Sequence, residues 1–474
     1  PLERVRIFEE EKGKKEWFKK KWGELKKLIL EKIPLFVLIP IFSFLTFYAQ
    51  KKTGAVADIV SAPISQRISN AVLAYVSYLK KMFLPFDLIP YYPFPMSKIP
   101  FFLVVFNLFI LFAITFFVMK NIKKQKWLFV GWFWYIGMLV PVIGIVQIGG
   151  QAMADRYTYI PLVGIFFAVV FSLSEVIEKN KALRLAVSMI ILLIFALFIF
   201  LTKLQVSQWK DNFTLFSYTL KVDPKNFFAH NSLGSALLLN DKTDEAVSHF
   251  LEAIKNEPGY YSAHFNLATA LIQLGKYSEA VEHYKLSFIE KEDAGGFNNV
   301  GFALMKLNKY DEAIDWFKKT LNLDPEMADA KINLANCLRD TGRLDEAVKE
   351  YEDILLKDPQ NTAALNQYGL ALVKSGKYEE AVEKFRKCVD LKPESEEYLC
   401  NYGNALLDSG KIEKSLEQYE KALKINPNSC KALNGWGLAL AKMGKLNQSI
   451  EKFREAVLKE PNFVEGYINL GYAL

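Results

Sequence analysis

The chain has 474 residues, too many for one ordinary domain, and its 51% apolar and 23% charged residues are unevenly distributed about a break near residue 205. The formal net charge is only +7, and the lysines cluster beside apolar segments. That pattern points to membrane orientation and excludes a nucleic-acid-binding surface as the main function.

Residues 1–32 carry eleven Lys/Arg and seven Glu, with Phe18, Trp22, Leu25 and Ile29 on one helical stripe. This predicts a cytoplasmic, basic amphipathic segment. The apolar stretches 33–49, 99–119, 127–148, 159–177 and 184–204 are predicted spans, making residues 33–204 a transmembrane domain with about five spans. The first is short and holds Pro34 and Pro40, so a re-entrant or interfacial segment is the competing reading there.

The loop at 120–126 holds four lysines, and Lys179, Lys181 and Arg184 flank the last span. The positive-inside rule then puts residues 1–32, 120–126 and 178–184 in the cytoplasm. Loops 51–98 and 149–158, and everything after residue 204, fall on the exoplasmic side, although Lys51, Lys52, Lys80 and Lys81 run against the bias. Within loop 51–98, Ile68, Val72, Tyr75, Val76 and Leu79 form a second interfacial stripe. The prolines of 85–95, PFDLIPYYPFP, prevent a regular helix, and Tyr91, Tyr92 and Phe94 suit the headgroup zone.

Residues 205–226 read as a linker with a half-repeat helix. From Asp223 the sequence repeats: prolines 224, 258, 325, 359, 393, 427 and 461 are 34 apart, apart from one gap of 67 that holds two units, one a residue short, with Glu292 in the proline slot. A 34-residue helix–turn–helix period is the tetratricopeptide signature, and residues 227–474 make seven full units and a partial eighth. In the unit 362–395, Leu365, Tyr368, Gly369 and Leu372 pack the first helix and Ala381, Phe385 and Cys388 the second; Pro393 ends it. Cys337, Cys388, Cys400 and Cys430 form no CxxC and read as small buried hydrophobes. His230, His249, His264 and His283 have no metal-ligand spacing, so no metal is expected.

Asparagine recurs on the first helices. Asn266, Asn299, Asn333, Asn401 and Asn469 share one position, and Asn231, Asn298, Asn366, Asn434, Asn336 and Asn404 lie beside it. Asparagine is a mediocre helix former, whereas its amide both donates to and accepts from an extended backbone. First helices line the inner wall of such a superhelix. Asn266, Asn299, Asn333, Asn336, Asn401, Asn404 and Asn469 are therefore the candidate contacts of a groove for proteins or extended peptides; the competing reading is solvated asparagine. The repeats resemble the asparagine-lined repeats of O-linked N-acetylglucosamine transferases, whose catalytic domains follow the repeats.

The runs QAMADRYTYIPLVG at 151–164, WKDNFTLFSYTLKVDPKNFFAHNSLGSAL from Trp209 and SNAVLAYVSYLKKMFLPFDLIPYYP from Ser69 together resemble a larger arrangement. It is that of membrane glycosyltransferases of the C superfold joined to tetratricopeptide repeats, such as the TPR-bearing transmembrane O-mannosyltransferases and similar bacterial proteins. The fold class expected is all-α: a multi-span transmembrane helix bundle followed by a TPR α-solenoid. The resemblance implies an integral membrane protein with exoplasmic repeats, and a polyprenyl-phosphate sugar as donor with no other cofactor. In such enzymes the catalytic acid lies in the first exoplasmic loop. Here loop 51–98 offers only Asp58 and Asp87, without a DxD or ExD. The expectation is that the catalytic loop precedes Pro1 and that this is the distal part of a longer protein. Within that resemblance, Arg156 is placed to hold the lipid phosphate by two hydrogen bonds, Asp155 to orient Arg156 or an acceptor hydroxyl, and Tyr157 and Tyr159 to sit at headgroup level. The competing role for Arg156 is as an anchor on membrane lipid. The competing function is a non-catalytic, membrane-anchored TPR scaffold.

Overall fold

The computed structural model describes residues 63–95, 98–145, 151–177, 181–289 and 292–474, together with Trp22, Lys26 and Leu30. The predicted span 33–49, Asp58 and most of segment 1–32 lie outside the described residues; Trp22, Lys26 and Leu30 are helical and exposed. The chain divides into two compact units, Pro1–Leu233 and Gly234–Leu474. Among the described residues there are 21 α-helices and one two-stranded ribbon, β1 (Tyr92–Pro93) antiparallel to β2 (Gln151–Met153).

In the first unit, three helices are long and apolar enough to cross a membrane: Phe101–Lys120, Asp155–Glu175 and Leu183–Gln208. Their side chains are largely uncovered, as in Phe102, Phe109, Phe112, Leu192 and Ile199. The predicted span 127–148 is described as far as residue 145, residues 146–148 lying outside the described residues, and it is α-helical only in part. Its helix is Lys126–Leu139, 14 residues, or about 21 Å at the α-helical rise, short of a hydrocarbon core of roughly 30 Å. A turn over 140–145 follows. The segment is apolar throughout, but Pro141 and Gly144 interrupt its helix, with Gly144 at φ 91°.

This short helix is the centre of the unit. Its Trp132, Tyr135 and Leu139 are buried with Tyr78, Val118, Ile143 and Met153. Polar ties and close backbone approach fix the packing around it. Trp127 Nε1 donates to Ser172 Oγ at 3.0 Å, Trp132 Nε1 to Thr115 Oγ1 at 3.0 Å, and Tyr135 OH to the Tyr75 carbonyl at 2.6 Å. Gly131 lies against Gly164 so closely that a Cβ on Gly131 would sit 2.2 Å from the Gly164 carbonyl oxygen.

The ends of this unit differ in chemistry. At one end the ribbon joins residues 92–93 to 151–153, and Gln205 Nε2 donates to the Leu88 carbonyl at 2.9 Å. At the other, Gln125 Nε2 donates to Glu175 at 2.8 Å, beside the lysines of 120–126. The helix Ile64–Phe83 buries Asn70, Ala71, Ala74 and Tyr78, while Ile68 of the predicted stripe stays exposed.

In the second unit, helices alternate from Thr243–Asn256 to Val464–Ala473 in the first-helix, second-helix order of the 34-residue period. Each turn within a pair needs one left-handed residue. Gly376 takes it at φ +73°, and Asp241 and Asn308 take it at φ 58°. First and second helices close on one another because a glycine meets an aromatic ring. At Gly301, Gly369 and Gly437 a Cβ would lie 2.6 Å from Phe317, Phe385 and Phe453.

A methyl group at Gly131 forces Lys126–Leu139 and Tyr159–Ile177 apart, so Gly131→Ala is expected to destabilise the first unit by about 1–3 kcal/mol, the usual cost of overpacking. Gly137 has open space around its would-be Cβ, and Gly137→Ala is the control. Thermal unfolding of the detergent-solubilised chain checks this: equal midpoints for the two variants would show that the glycine crossing does not hold the unit together.

Candidate functional site

The run at 153–159 is held from two sides. From the Ile64–Phe83 helix, Asn70 Nδ2 donates to the Ala152 carbonyl at 2.9 Å, and the Tyr78 hydroxyl accepts from the Ala154 N–H at 3.0 Å. From residues 87–92 comes a second set of contacts. The Tyr92 hydroxyl accepts from Lys81 Nζ at 2.7 Å and from the Ile89 N–H at 3.0 Å, and lies 2.8 Å from Asp155 Oδ2. A phenol has one proton to give. With two donors already pointing at its oxygen, Tyr92 gives that proton to Asp155, which must therefore accept. Burial pushes the Lys81 ammonium below its ordinary pKa, and the Asp155 charge opposes that shift. Burial also pushes the Tyr92 hydroxyl up, and the Asp155 charge adds to it, so Tyr92 stays a donor.

Arg156 faces elsewhere. Its Nη2 donates to Gln151 Oε1 at 3.4 Å, and its guanidinium lies 5.3 Å from the centre of the Tyr157 ring. Gln151 in turn donates to the Tyr157 hydroxyl at 2.7 Å. Arg156 and Tyr159 are exposed, while Asp155 and Tyr157 are half-buried. The structure thus brings Asp155 to Tyr92 and Lys81, and Arg156 to Tyr157 and Gln151. Among the described contacts, Asp155 does not orient Arg156. The sequence reading met Lys81 only as a charge against the loop bias and Tyr92 only as a headgroup-zone ring, and it passed over Asn70; the signals that could have joined them to Asp155 were a lysine in a loop expected to lack them, one tyrosine of a proline-broken run, and an amide on a face of alanines.

On the repeats, three pairs of asparagines bond to one another across neighbouring units. Asn401 Nδ2 donates to Asn366 Oδ1 and Asn469 Nδ2 to Asn434 Oδ1, both at 2.9 Å, and Asn333 to Asn298 at 3.4 Å. Asn366 and Asn434 also donate to Glu397 and Glu465 of the next unit, at 3.3 and 3.2 Å. Asn266 donates to Ser235 at 3.2 Å, and Asn299 to the Tyr284 hydroxyl at 2.9 Å.

Asn336 and Asn404 have another duty. The second-helix aromatic is Phe in 250, 317, 385 and 453, but Tyr in 284, 351 and 419, and all seven are buried. A buried hydroxyl needs a partner. Tyr351 donates to Asn336 at 2.7 Å, Tyr419 to Asn404 at 2.6 Å, and Tyr284 pairs with Thr269 at 2.8 Å. Beneath the phenylalanines the matching residues are Ser235, Phe302, Leu370 and Leu438. Ion pairs alternate in step, Lys374 with Asp340 at 3.4 Å and Lys442 with Asp408 at 3.8 Å. The building block is a pair of repeats, a period of two units that single-unit reading passed over.

Tetratricopeptide repeat models match residues 231–288 and 304–367, and a TPR repeat model matches 369–410 and 403–444. The chain carries tetratricopeptide repeats. Repeats of this type are suited to protein–protein interaction. No curated protein matches the chain. Among solved structures, a tetratricopeptide repeat protein from Parabacteroides merdae is 15% identical over 52% of this chain and 98% of its own, with a TM-score of 0.46. YrrB, described as a TPR protein with an unusual peptide-binding site, is 19% identical over 38% of this chain and 92% of its own, with a TM-score of 0.35. MamA from Desulfovibrio magneticus RS-1 is 24% identical over 36% and 96%, with a TM-score of 0.34.

Where the TPR period slips to 33 residues, Phe288, Phe297 and Trp316 line an open cavity of about 430 Å³, with Lys285 and Lys319 beside them. Cys337, Cys388 and Cys400 of the array are buried, and burial pushes each thiol up to about 12.

Asn404→Ala strands the Tyr419 hydroxyl, and is expected to cost about 1–3 kcal/mol. Tyr419→Phe in the same chain should return most of it, because the unpaired group is then gone. Asn333→Ala removes only a long, half-buried contact and should change stability by less than about 0.5 kcal/mol. Chemical denaturation of the repeat array, as a double-mutant cycle between 404 and 419, measures this. Additive losses would show that Asn404 is not there for the tyrosine.

Proposed function

We propose that the chain is the distal part of a membrane glycosyltransferase whose TPR repeats present protein or peptide acceptors, and whose 151–159 region receives the phosphate of a polyprenyl-phosphate sugar. The observation that supports this reading most is the division of labour at 155–156. Asp155 is kept as an acceptor by Tyr92, and Arg156 stands exposed on the Tyr157 ring at the head of an apolar helix. A guanidinium so placed matches an interfacial phosphate by two parallel hydrogen bonds. In the transfer, the bond from the sugar's anomeric carbon to the phosphate oxygen breaks while the acceptor hydroxyl's oxygen bonds to that carbon and its proton passes to a general base. The leaving group is then a phosphate anion, and a fixed cation beside it stabilises the charge that develops.

Embedding in a membrane is part of the same proposal. Three helices of sufficient length support it, as does the segregation of the 120–126 lysines from the end that holds Asp155. The ribbon between 92–93 and 151–153 also joins the two loops assigned to the exoplasmic side. Protease protection in oriented vesicles tests the topology: residues 205–474 should be cleaved from the exoplasmic side only, and protection there would remove this arrangement.

The second reading, a membrane-anchored scaffold, draws on the same exposure of Arg156, since an anchoring arginine is also exposed. Two substitutions in the full-length protein separate the readings. Arg156→Ala should lower sugar transfer by about 30- to 1000-fold, the effect of losing one preorganised donor at roughly 2–4 kcal/mol. Arg156→Lys should recover only part of that, because an ammonium lacks the planar two-point contact. The measurement is transfer from a polyprenyl-phosphate sugar in membranes with equal amounts of each variant. Full activity of Arg156→Lys favours the anchor, since lysine snorkels to the same headgroups.

A further inference from the structure

Residues 87–92 touch more than the acid. Asp87 adopts φ 57°, a left-handed turn uncommon outside glycine, and its carbonyl accepts from Lys81 Nζ at 3.1 Å. The Leu88 carbonyl accepts from Gln205, at the end of the long apolar helix. The next residues divide: Tyr92 turns to Asp155, whereas Tyr91 turns to the start of the first repeat helix, within the same compact unit. The Tyr91 ring stacks on Phe228 with centroids 4.4 Å apart and meets Phe227 edge-on at 6.1 Å. Its carbonyl accepts from Asn226 Nδ2 at 3.0 Å, and Asn226 Oδ1 at the same time accepts from the Ala229 N–H at 3.0 Å and so caps that helix.

We propose that residues 87–92 are a strap that positions the Asp155 carboxylate: Tyr92 holds the carboxylate by its hydroxyl, and Tyr91 fastens the strap to residues 226–228 at the head of the repeat helix. Tyr91 and Tyr92 are positioning residues for the 155–156 site, and this role rests on the reading of that site as the lipid-phosphate site. The adjacent side chains act by different means. Position 91 needs an aromatic face, since stacking carries the contact. Position 92 needs a hydroxyl, since only an O–H relays Lys81 and the Ile89 N–H to Asp155 in one step.

Removing a donor from a carboxylate favours its protonated form, and dicyclohexylcarbodiimide reacts with the protonated carboxyl. Labelling of Asp155 in the whole 474-residue chain, read by mass spectrometry of the peptide that contains it, therefore reports the strap without any need for transfer activity. Tyr92→Phe should raise labelling, roughly tenfold for each pH unit by which the carboxyl's titration moves. Tyr91→Ala should raise it in the same direction, and Tyr91→Phe should restore the wild-type rate. Asn226 Nδ2 also donates to Asp223 Oδ2 at 3.2 Å; Asn226→Asp keeps the cap oxygen, loses the donor to Tyr91 and sets a second carboxylate beside Asp223, so it should loosen the strap. Wild-type labelling of Tyr92→Phe overturns the role of the hydroxyl. Wild-type labelling of both Tyr91→Ala and Asn226→Asp overturns the fastening. If labelling behaves as expected while Arg156→Ala keeps full sugar transfer, the strap stands and the lipid-phosphate reading falls.

Discussion

Both halves of this protein depend on one constraint: a tyrosine may bury its ring freely, but its hydroxyl must find a partner. Tyr92 meets the condition at Asp155, Tyr78 at Ala154, and Tyr351 and Tyr419 at Asn336 and Asn404. In each case the partner comes from a different element of the same unit. The hydroxyl therefore does more than satisfy itself; it sets the register between elements that apolar contact alone would leave free to slide.

In the first unit this constraint operates where hydrophobic burial is weak as a guide. The three long helices show their apolar side chains on nearly every side, so apolarity does not say which face meets which neighbour. The faces are chosen by Gly131 against Gly164 and by indole and phenol donors aimed at single acceptors. The 153–159 run inherits its geometry from these choices, because Asn70 and Tyr78 hold one side of it and Tyr92 holds the other.

In the repeats the same constraint produces the alternation of units. A tyrosine in place of a phenylalanine requires a polar partner fifteen residues earlier, and the chain supplies Thr269, Asn336 and Asn404 under the tyrosines; under the phenylalanines it has Phe302, Leu370 and Leu438, and Ser235 in the first unit, where the hydroxyl accepts from Asn266. The bridges of Asn366 with Asn401 and of Asn434 with Asn469 then fall at every second junction. The asparagines that suggested a uniform ladder form two sets, one joining neighbouring units and the other serving buried hydroxyls. Each set has its own internal partners, which propensity alone does not reveal.

The 34-residue period, the helix–turn–helix unit and the packing residues Leu365, Gly369, Ala381 and Phe385 could be read directly from the sequence, because contacts between neighbours in a solenoid repeat at a fixed spacing. The apolar stretches 99–119, 159–177 and 184–204 were equally legible, since length and apolarity are local properties. Stretch 127–148 was not: it is as apolar as the others, and only the packed structure shows its helix ending at Leu139. The charged run at 155–156 stood out in the sequence as charge beside a span. Which partner each charge takes did not, because Tyr92 lies 63 residues from Asp155 in the chain and 2.8 Å from it in space. A side chain's identity and spacing are fixed by the chain; the direction in which a hydroxyl gives its one proton is decided only when distant segments are brought together.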